Sequence, residues 1–262
     1  MNDERATAME PAPEGADAAP VRLFVPSGAL RDRTLDLDLD AASAAALAER
    51  GLVRGDHIIA LDGSGWASTV ELTAVSDQAL RGRVVDRRLA PARRSKVSVL
   101  FSPLDPARTH DVMMAATAAG VVSIAQVFTS ASRVDVAPAE PAVLAPAVQA
   151  AAESAGWGRL PRLGAVGFLD QAVDHAARAG ACVLIAAAGA PPAAEALADR
   201  PFTIALFCPT AGAFTSDELT RADARGARMV VWEGAWDGAD GGGGAVAGVR
   251  RALDAIYAAL EG

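Results

Sequence analysis

The stretch LVRGDHIIALDGSGWASTVEL, residues 52–72, decides the first half of the fold. Two apolar runs flank the tetrapeptide Asp62-Gly63-Ser64-Gly65. Glycine, aspartate and serine supply the positive φ angles that a tight hairpin turn requires. The stretch therefore predicts a strand, a turn and a second strand.

Further short strands are predicted around this hairpin. Apolar residues or short apolar runs typical of half-buried strands occur in three segments: VRLFV (21–25), TLDLDLD (34–40) and QALRGRVVDRR (78–88). The alanine-rich segment 41–50 predicts one short helix that ends near Gly51. Several short strands with one helix predict a small β-barrel over residues 21–90.

Two segments of different composition flank the predicted barrel. Residues 1–20 contain acidic residues, three prolines and no apolar block, which predicts a disordered tail rather than a signal peptide. The segment RRLAPARRS (87–95) combines proline with clustered positive charge, and both disfavour packing. It is therefore predicted to be a linker.

From Lys96 onward, strands alternate with helices, a pattern typical of a parallel sheet covered on both faces. The predicted strands are 96–101, 121–128, 181–187, 202–208 and 228–232, and the predicted helices are 109–119, 142–155, 167–179, 215–225 and 245–260. Continuously apolar strands such as CVLIAAA indicate burial on both faces. Thr215 and Glu218 have the spacing of a capping box at a helix start. The fold class is therefore α/β.

Composition limits the classes of protein that the chain can belong to. Apolar residues make up 52% of the 262 residues and aromatic residues 5%, so the core is aliphatic. No segment has the roughly 18 unbroken apolar residues of a membrane span. Cys182 and Cys208 lie in apolar runs, which indicates buried, reduced thiols in a cytoplasmic protein. The Cys and His spacings match no metal site.

Positive charge is concentrated in one segment, residues 81–96, which we call the arginine stripe. The chain has a net charge of −8, whereas this segment has seven basic residues and one acid, a charge of +6. Its candidate RNA-binding residues are Arg81, Arg83, Arg87, Arg88, Arg93 and Arg94. The stripe predicts either a track for nucleic-acid phosphates or a solvated edge strand and linker, and both interpretations stay open.

Two loops that follow predicted strands are candidate ligand-binding loops. They are CPTAGAF (208–214) and WEGAWDGADGGGG (232–244), the second ending in a glycine-rich segment. Ligands of open parallel sheets lie beyond the carboxyl ends of the strands, and small residues let the backbone approach a ligand closely. Similar loops also serve as ordinary connections, so the pattern alone does not identify a ligand.

The order of these parts resembles the bacterial 16S ribosomal-RNA uracil-N3 methyltransferase family, from about Val21 to Gly262. Besides VRLFV and residues 52–72, the resembling segments are MMAATAAGVVSIAQVFTSASRV (113–134), AAAESAGWGRLPRL (150–163) and FCPTAGAFTSDEL (207–219). The resemblance implies an RNA-binding barrel of the PUA type over 21–90. It also implies a trefoil-knotted α/β methyltransferase domain of the SPOUT class over 96–262.

The family's cofactor is S-adenosylmethionine, which the resemblance implies is held largely by backbone groups of the knotted loops. The implied cofactor-binding residues are Phe207, Cys208, Pro209, Ala211, Gly212, Val231, Trp232 and Gly234. The implied substrate is ribosomal RNA, with the arginine stripe positioning its phosphates. The implied partner is a second copy of the chain, packed through helices 109–119 and 245–260.

The chain departs from the family's pattern mainly at polar positions. Met114–Ala119 lack the family's charged groups, Trp157 replaces an arginine, and residues 232–249 replace a closing Leu-Arg-x-Glu-Thr-Ala segment. Methyl transfer to a uracil nitrogen needs donors that stabilise developing charge, and Arg159 is the one candidate near these positions. The catalytic residue is therefore not identified from the sequence.

Three functions stay open on the sequence alone. The first is an S-adenosylmethionine-dependent RNA methyltransferase that acts in ribosomal-RNA processing. The second is a catalytically inactive descendant that binds RNA or protein. The third is the same scaffold with a new small-molecule substrate.

Overall fold

The computed structural model describes residues 20–261, apart from residues 27, 133–134, 211 and 232–243. Apart from Pro20, the predicted disordered tail lies outside the described residues. The described part of the chain forms thirteen strands and seven helices, arranged around two sheets.

The first sheet has six strands and is barrel-like and mixed. Its elements are β1 (Val21–Phe24), β2 (Leu30–Arg31), β3 (Thr34–Asp38), α1 (Ala41–Ala48), β4 (His57–Leu61), β5 (Trp66–Val75) and β6 (Ala79–Leu89). The strand order is β1-β4-β5-β6-β3-β2, with β1 parallel to β4 and the other pairs antiparallel. The predicted small barrel is confirmed, and the two-residue strand β2 is an addition to it.

The predicted hairpin turn lies between β4 and β5. The Asp62 carboxylate accepts hydrogen bonds from the backbone N–H of Ser64 at 2.9 Å and of Trp66 at 3.2 Å. Gly63 and Gly65 have φ angles of +75° and +108°, which the glycines tolerate without strain. The residues that predict the turn from sequence are therefore the residues that form it in the structure.

The second sheet has seven strands. In chain order the elements are β7 (Lys96–Phe101), α2 (Pro106–Ala119), β8 (Ser123–Phe128), α3 (Pro141–Ala155), β9 (Arg162–Leu163), β10 (Gly167–Phe168), α4 (Leu169–Arg178), β11 (Cys182–Ala186), α5 (Ala193–Ala196), β12 (Thr203–Cys208), α6 (Ser216–Asp223), β13 (Arg228–Val230) and α7 (Gly244–Glu261). The strand order is β10-β8-β7-β12-β11-β13, and β9 also pairs with β8. Every pairing in this sheet is parallel.

The predicted strands and helices of this half are confirmed with small shifts. Helix α2 begins at Pro106 rather than residue 109, because the Asp105 carboxylate caps it through the backbone N–H of Arg108 at 3.0 Å. Helix α4 begins at Leu169, because Gly167 and Phe168 pair with β8 instead. The short elements β9, β10 and α5 are additions that no periodicity in the sequence predicts.

Two apolar clusters cover the two faces of the parallel sheet. Alternate residues of β12 enter different clusters: Leu206 packs with α2, α3 and α7, while Phe207 packs with α4 and α6. Both side chains are fully buried. Burial on both faces is the reason that these strands are continuously apolar in sequence.

The barrel docks on the amino ends of the parallel strands. Glu153 of α3 is buried, and its carboxylate accepts a hydrogen bond from the backbone N–H of Phe24 at 2.8 Å. Gly158 lies against the hairpin turn, where an added Cβ would stand 3.1 Å from the backbone of Gly65. The first contact joins α3 to β1 through a hydrogen bond, and the second leaves no room for a side chain at residue 158. The barrel and the α/β unit are therefore closely packed.

The prediction of a linker over 87–95 is wrong in part. Residues 87–89 belong to β6, and Arg93 is packed rather than solvated. Its guanidinium lies 4.1 Å from the ring centroid of Tyr257 and 3.1 Å from the Glu261 carboxylate. Both partners come from α7, more than 160 residues away in the chain, so the local sequence does not reveal them.

Two predictions about organisation are not tested by these elements. The trefoil knot stays a prediction, because residues 232–243, which connect β13 to α7, lie outside the described residues. The division into domains at 21–90 and 96–262 stays a prediction as well.

Glu153→Ala tests the docking of the barrel. The substitution leaves the partly buried Phe24 N–H without its carboxylate acceptor, and loss of such a hydrogen bond costs about 1 kcal/mol. We expect the urea midpoint of unfolding to fall accordingly. Glu140→Ala, at the exposed start of the same helix, makes no side-chain cap and should change little. Equal loss in both variants would contradict the role of Glu153.

Candidate functional site

A crevice is expected where two adjacent parallel strands continue in opposite directions. Strands β7 and β12 are such neighbours: the chain leaves β7 toward β8 on one side and leaves β12 toward β13 on the other. The loops after their carboxyl ends, residues 102–105 and 209–214, therefore border the crevice. We call this region the carboxyl-edge crevice.

Hydroxyl groups connect the loops of the carboxyl-edge crevice. The Thr210 hydroxyl donates to the Ser102 carbonyl at 2.9 Å, and the Ser102 hydroxyl shares a hydrogen bond with the Thr129 hydroxyl at 3.2 Å. The backbone N–H of Thr129 in turn donates to the Ser132 hydroxyl at 2.8 Å. The loops after β7, β8 and β12 therefore form one hydrogen-bonded unit.

Glu218 of α6 connects the loop after β8 to the loop after β12. Its carboxylate accepts from the backbone N–H of Ser130 at 2.7 Å and of Thr215 at 2.8 Å, while Thr215 caps α6 in return. The predicted capping box is confirmed. Burial raises the pKa of the Glu218 carboxyl, but the hydrogen bonds from Ser130 and Thr215 outweigh burial and hold that pKa below its usual value.

The predicted cofactor residues of β12 are placed at this crevice, but their side chains are not exposed to it. Phe207, Cys208 and Pro209 are all buried. Burial raises the pKa of the Cys208 thiol, which is therefore a neutral core group. Gly212 has a φ of +144°, and an added Cβ there would stand 3.2 Å from the Cβ of Ala131. Among the described residues of this loop, a ligand would meet backbone groups of Pro209, Thr210 and Gly212.

The second predicted loop is described only at its start. Val231 is half-buried, its N–H donates to the Pro191 carbonyl at 2.9 Å, and its carbonyl accepts from the Ala193 N–H at 2.9 Å. These bonds place the end of β13 beside the loop that follows β11. Trp232, Gly234 and the rest of the glycine-rich segment lie outside the described residues, as does Ala211.

Half of the arginine stripe is engaged with the barrel's own carboxylates. The ion pairs are Arg81 with Asp36 and with Asp38 at 3.1 Å, Arg83 with Glu71 at 2.7 Å, and Arg87 with Asp62 at 3.3 Å. Arg93 is held by α7. Within the described part of the chain, Arg88 and Arg94 form no ion pair, and both are exposed. Among the arginines of the stripe, Arg88 and Arg94 are therefore the two whose charge is left for a partner.

Arg159 does not lie at the carboxyl-edge crevice. Its Nε donates to the Ser64 carbonyl of the barrel hairpin at 2.9 Å, at the amino ends of the parallel strands. A six-residue strand such as β7 separates the two edges of the sheet by about 20 Å. Within one chain, Arg159 therefore lies at the edge opposite the carboxyl-edge crevice, and its role as a donor to the reacting base stays a prediction.

Sequence reasoning missed most of the polar groups at the crevice. Ser102, Thr129 and Ser132 follow strands, but their pairing depends on the order of those strands in the sheet. Only the Thr215–Glu218 spacing was visible in sequence. Among the described residues, no group of His, Cys, Asp and Glu side chains could hold a metal ion, and no helix is both long enough and apolar enough to cross a membrane.

The two sheets together define the fold class, which is α/β: a barrel-like mixed sheet is followed by a parallel sheet covered with helices on both faces. Ribosomal RNA small subunit methyltransferase E of Neisseria gonorrhoeae, solved with S-adenosylmethionine, has this fold. It superposes with a TM-score of 0.76 and 19% identity, over 92% of this chain and 98% of that one. The resemblance seen in sequence is thus confirmed at the level of the fold.

Two more solved structures share the fold over the same proportions of the chains, 92% and 98%. A Legionella pneumophila protein assigned as a methyltransferase, in complex with S-adenosylmethionine, has a TM-score of 0.74 and 17% identity. A predicted RNA methyltransferase of Thermotoga maritima has a TM-score of 0.61 and 17% identity. No protein-family model matches the chain, and no curated protein sequence matches it.

Glu218→Gln tests the electrostatic role of the buried carboxylate. Because the folded pKa is lowered, the charge stabilises the fold above the unfolded pKa, and this contribution is lost as the pH falls through the folded pKa. We expect Glu218→Gln to lower the free energy of unfolding by about 1–2 kcal/mol at pH 7 and by less near pH 3. Asp217→Asn, an exposed neighbour, is the control. A loss independent of pH would contradict this account.

Proposed function

We propose that this chain is an S-adenosylmethionine-dependent methyltransferase that acts on RNA, with the carboxyl-edge crevice as its cofactor site. The observation that supports this most strongly is the divergence of the chain at β7 and β12. The crevice lies at this divergence, in a fold shared over 92% of the chain with structures solved with that cofactor. S-adenosylmethionine supplies an activated methyl group when bound.

The residues of the crevice fit a cofactor that is held through the backbone. The hydroxyls of Ser102 and Thr210 are used to connect the loops, so their side chains shape the site rather than bind ligand. At Gly212 an added Cβ would stand 3.2 Å from the Ala131 side chain, so the glycine lets the two loops lie close together. The buried Phe207, Cys208 and Pro209 support this loop, and Ala211, Val231, Trp232 and Gly234 complete the proposed site.

Ribosomal RNA is the proposed substrate, bound partly by the arginine stripe. Arg88 and Arg94 are free to contact phosphates, whereas Arg81, Arg83 and Arg87 would exchange an internal carboxylate for a phosphate. Such phosphate contacts fix the position of the RNA without reading its sequence. Arg93, held against α7, positions the stripe relative to the parallel sheet.

A homodimer is the proposed assembly, formed by the faces of α2 and α7. An open depression of about 800 Å³ lies between α2, α3 and α7. Its lining combines small side chains such as Ala115, Ala118 and Ala247 with charges of both signs, including Asp111 and Arg250. A two-fold interface pairs a surface with itself, so mixed charges around an apolar centre suit it. The knotted topology and a location in the cytoplasm belong to the same proposal.

Calorimetric titration with S-adenosylmethionine tests the cofactor site. We expect binding to the wild-type chain, and about tenfold or weaker binding to Gly212→Ala, whose Cβ would crowd Ala131 in a strained backbone. Gly226→Ala is the matched control, because Gly226 also has a positive φ but its Cβ position is open. Absence of heat at millimolar cofactor would overturn the proposal.

Methyl transfer is then measured on unmodified small-subunit ribosomal RNA with radiolabelled cofactor. Incorporation into the RNA supports the enzyme. Cofactor binding without incorporation would overturn the catalytic proposal and favour an inactive or repurposed homologue that retains the crevice.

The arginine stripe is tested by the salt dependence of RNA binding. Each phosphate contact with a single strand contributes about 0.7 to the slope of log K against log salt. Replacing Arg88 and Arg94 with Gln should therefore reduce the slope by about 1.4, measured by fluorescence anisotropy with an oligoribonucleotide. Arg178→Gln, an exposed arginine of α4, should leave it unchanged. An unchanged slope in the double variant would exclude these two residues as phosphate contacts.

A further inference from the structure

A second cavity lies between the barrel and the parallel sheet, and we call it the interdomain cavity. Its volume is about 480 Å³, within the range of small-molecule sites. The barrel contributes Gly65 and Leu89, and the α/β unit contributes the ends of α2 and α3. The cavity thus exists because the two sheets are docked.

The interdomain cavity is separate from the carboxyl-edge crevice. Lys96 is the first residue of β7, Val122 directly precedes β8, and Pro161 directly precedes β9. All three strands are parallel, so these residues mark the amino edge of the sheet. The crevice lies about 20 Å away at the other edge, and a ligand here goes beyond the proposed cofactor and substrate.

The wall of the cavity is mostly apolar, and its charges are all positive. Leu89, Val121, Trp157 and Leu160 are among the apolar lining residues. The charged lining residues are Arg93, Lys96 and Arg159, with no carboxylate among the described residues that line the cavity. A ligand with an apolar body and a negative charge matches such a wall.

Two of the three cations are not neutralised by the protein. Arg93 is paired with Glu261, whereas Lys96 and Arg159 form no ion pair within the described ranges of the chain. The Lys96 ammonium donates to the Arg93 carbonyl at 3.2 Å, and Arg159 donates to a barrel carbonyl. These bonds hold both side chains in place and leave other donors for an anion, since Lys has three donors and Arg five.

Thr117 of α2 supplies a further polar group. The residue lines the cavity, is 1% exposed, and its hydroxyl has no hydrogen-bond partner among the described residues. A threonine inside a helix commonly bonds to the carbonyl four residues earlier, and a buried hydroxyl without any partner is unfavourable. A bound ligand with an acceptor atom would satisfy this hydroxyl.

We propose that the interdomain cavity binds a small apolar anion, an aromatic or branched hydrocarbon body bearing one carboxylate, sulfonate or phosphate. The apolar walls bury the body, and Lys96 and Arg159 bind the charged group. Because the barrel and the parallel unit both line the cavity, an occupied cavity holds them in one relative placement.

The test uses two fluorescent probes that differ in charge. The first is 8-anilino-1-naphthalenesulfonate, an aromatic anion, and the second is its neutral analogue N-phenyl-1-naphthylamine. We expect the folded chain to bind the anion at one site. Its affinity for the anion should be at least about tenfold higher than for the neutral analogue, because the neutral analogue cannot form the charged hydrogen bond. Equal affinities would overturn the role of the cations.

Four variants locate the site. Lys96→Met should weaken binding of the anion about tenfold, while Arg94→Met, which removes an adjacent exposed charge outside the cavity, should not. Val122→Trp, at the exposed mouth, should block both probes. Thr117→Val should weaken the anion without lowering the melting temperature, because the hydroxyl lacks a partner in the folded chain. Circular dichroism confirms that each variant is folded.

The opposite results are equally definite. Equal losses in Lys96→Met and Arg94→Met, or unchanged binding in Val122→Trp, would show that the probe binds elsewhere and overturn the proposal. Displacement of the anion by a single-stranded oligoribonucleotide, lost in Lys96→Met, would assign the cavity to RNA instead. None of these outcomes depends on S-adenosylmethionine, so failure here is distinguishable from failure of the proposed cofactor site.

Discussion

Strand β12 lies in the parallel sheet between β7 and β11. All six of its residues pair with the six residues of β7, beginning with Thr203 opposite Lys96 and ending with Cys208 opposite Phe101. Alternate side chains of this pair enter the apolar clusters on the two faces, so both layers of helices depend on it. The chain leaves the two strands in opposite directions. A ligand-binding crevice is therefore expected at their carboxyl ends, and their amino ends form part of the surface on which the barrel docks.

The carboxyl-edge crevice is built from hydroxyl groups and backbone rather than from charged side chains. Ser102, Thr129 and Thr210 connect three loops, and the buried Glu218 carboxylate holds two of those loops together. A site of this kind depends on backbone positions, which survive many side-chain changes as long as the strands keep their order. This is consistent with a shared fold at 19% identity to a solved methyltransferase.

The two cavities lie at opposite edges of one sheet, and helix α2 spans the distance between them. Asp105 caps the helix directly after the β7 loop, and Gly120 ends it at the interdomain cavity. Thr117, one turn before that end, is the buried polar group that a ligand would engage. A ligand in the interdomain cavity would thus contact the element that begins at the carboxyl-edge crevice, with no requirement for movement of the sheet.

Local chemistry was sufficient to predict much of this protein. The Asp62-Gly63-Ser64-Gly65 turn, the apolar runs of β7 and β12 and the Thr215–Glu218 cap are short-range patterns, because turn geometry, burial on both faces and helix capping act within a few residues. Position in space was not predictable in the same way. Arg93 lies in the predicted linker but packs on Tyr257 of α7, and Arg159, the candidate donor from sequence, lies at the amino edge of the sheet.

The order of the strands, which no local pattern encodes, decided which loops meet at the carboxyl-edge crevice and where the barrel docks. The interdomain cavity was likewise invisible in sequence, since its wall combines the barrel hairpin, the segment after β6 and the ends of α2 and α3. The sequence by itself thus determined the elements and the chemical character of each segment. Tertiary structure alone decided which of those segments share a site, because contacts between distant residues depend on strand order and packing.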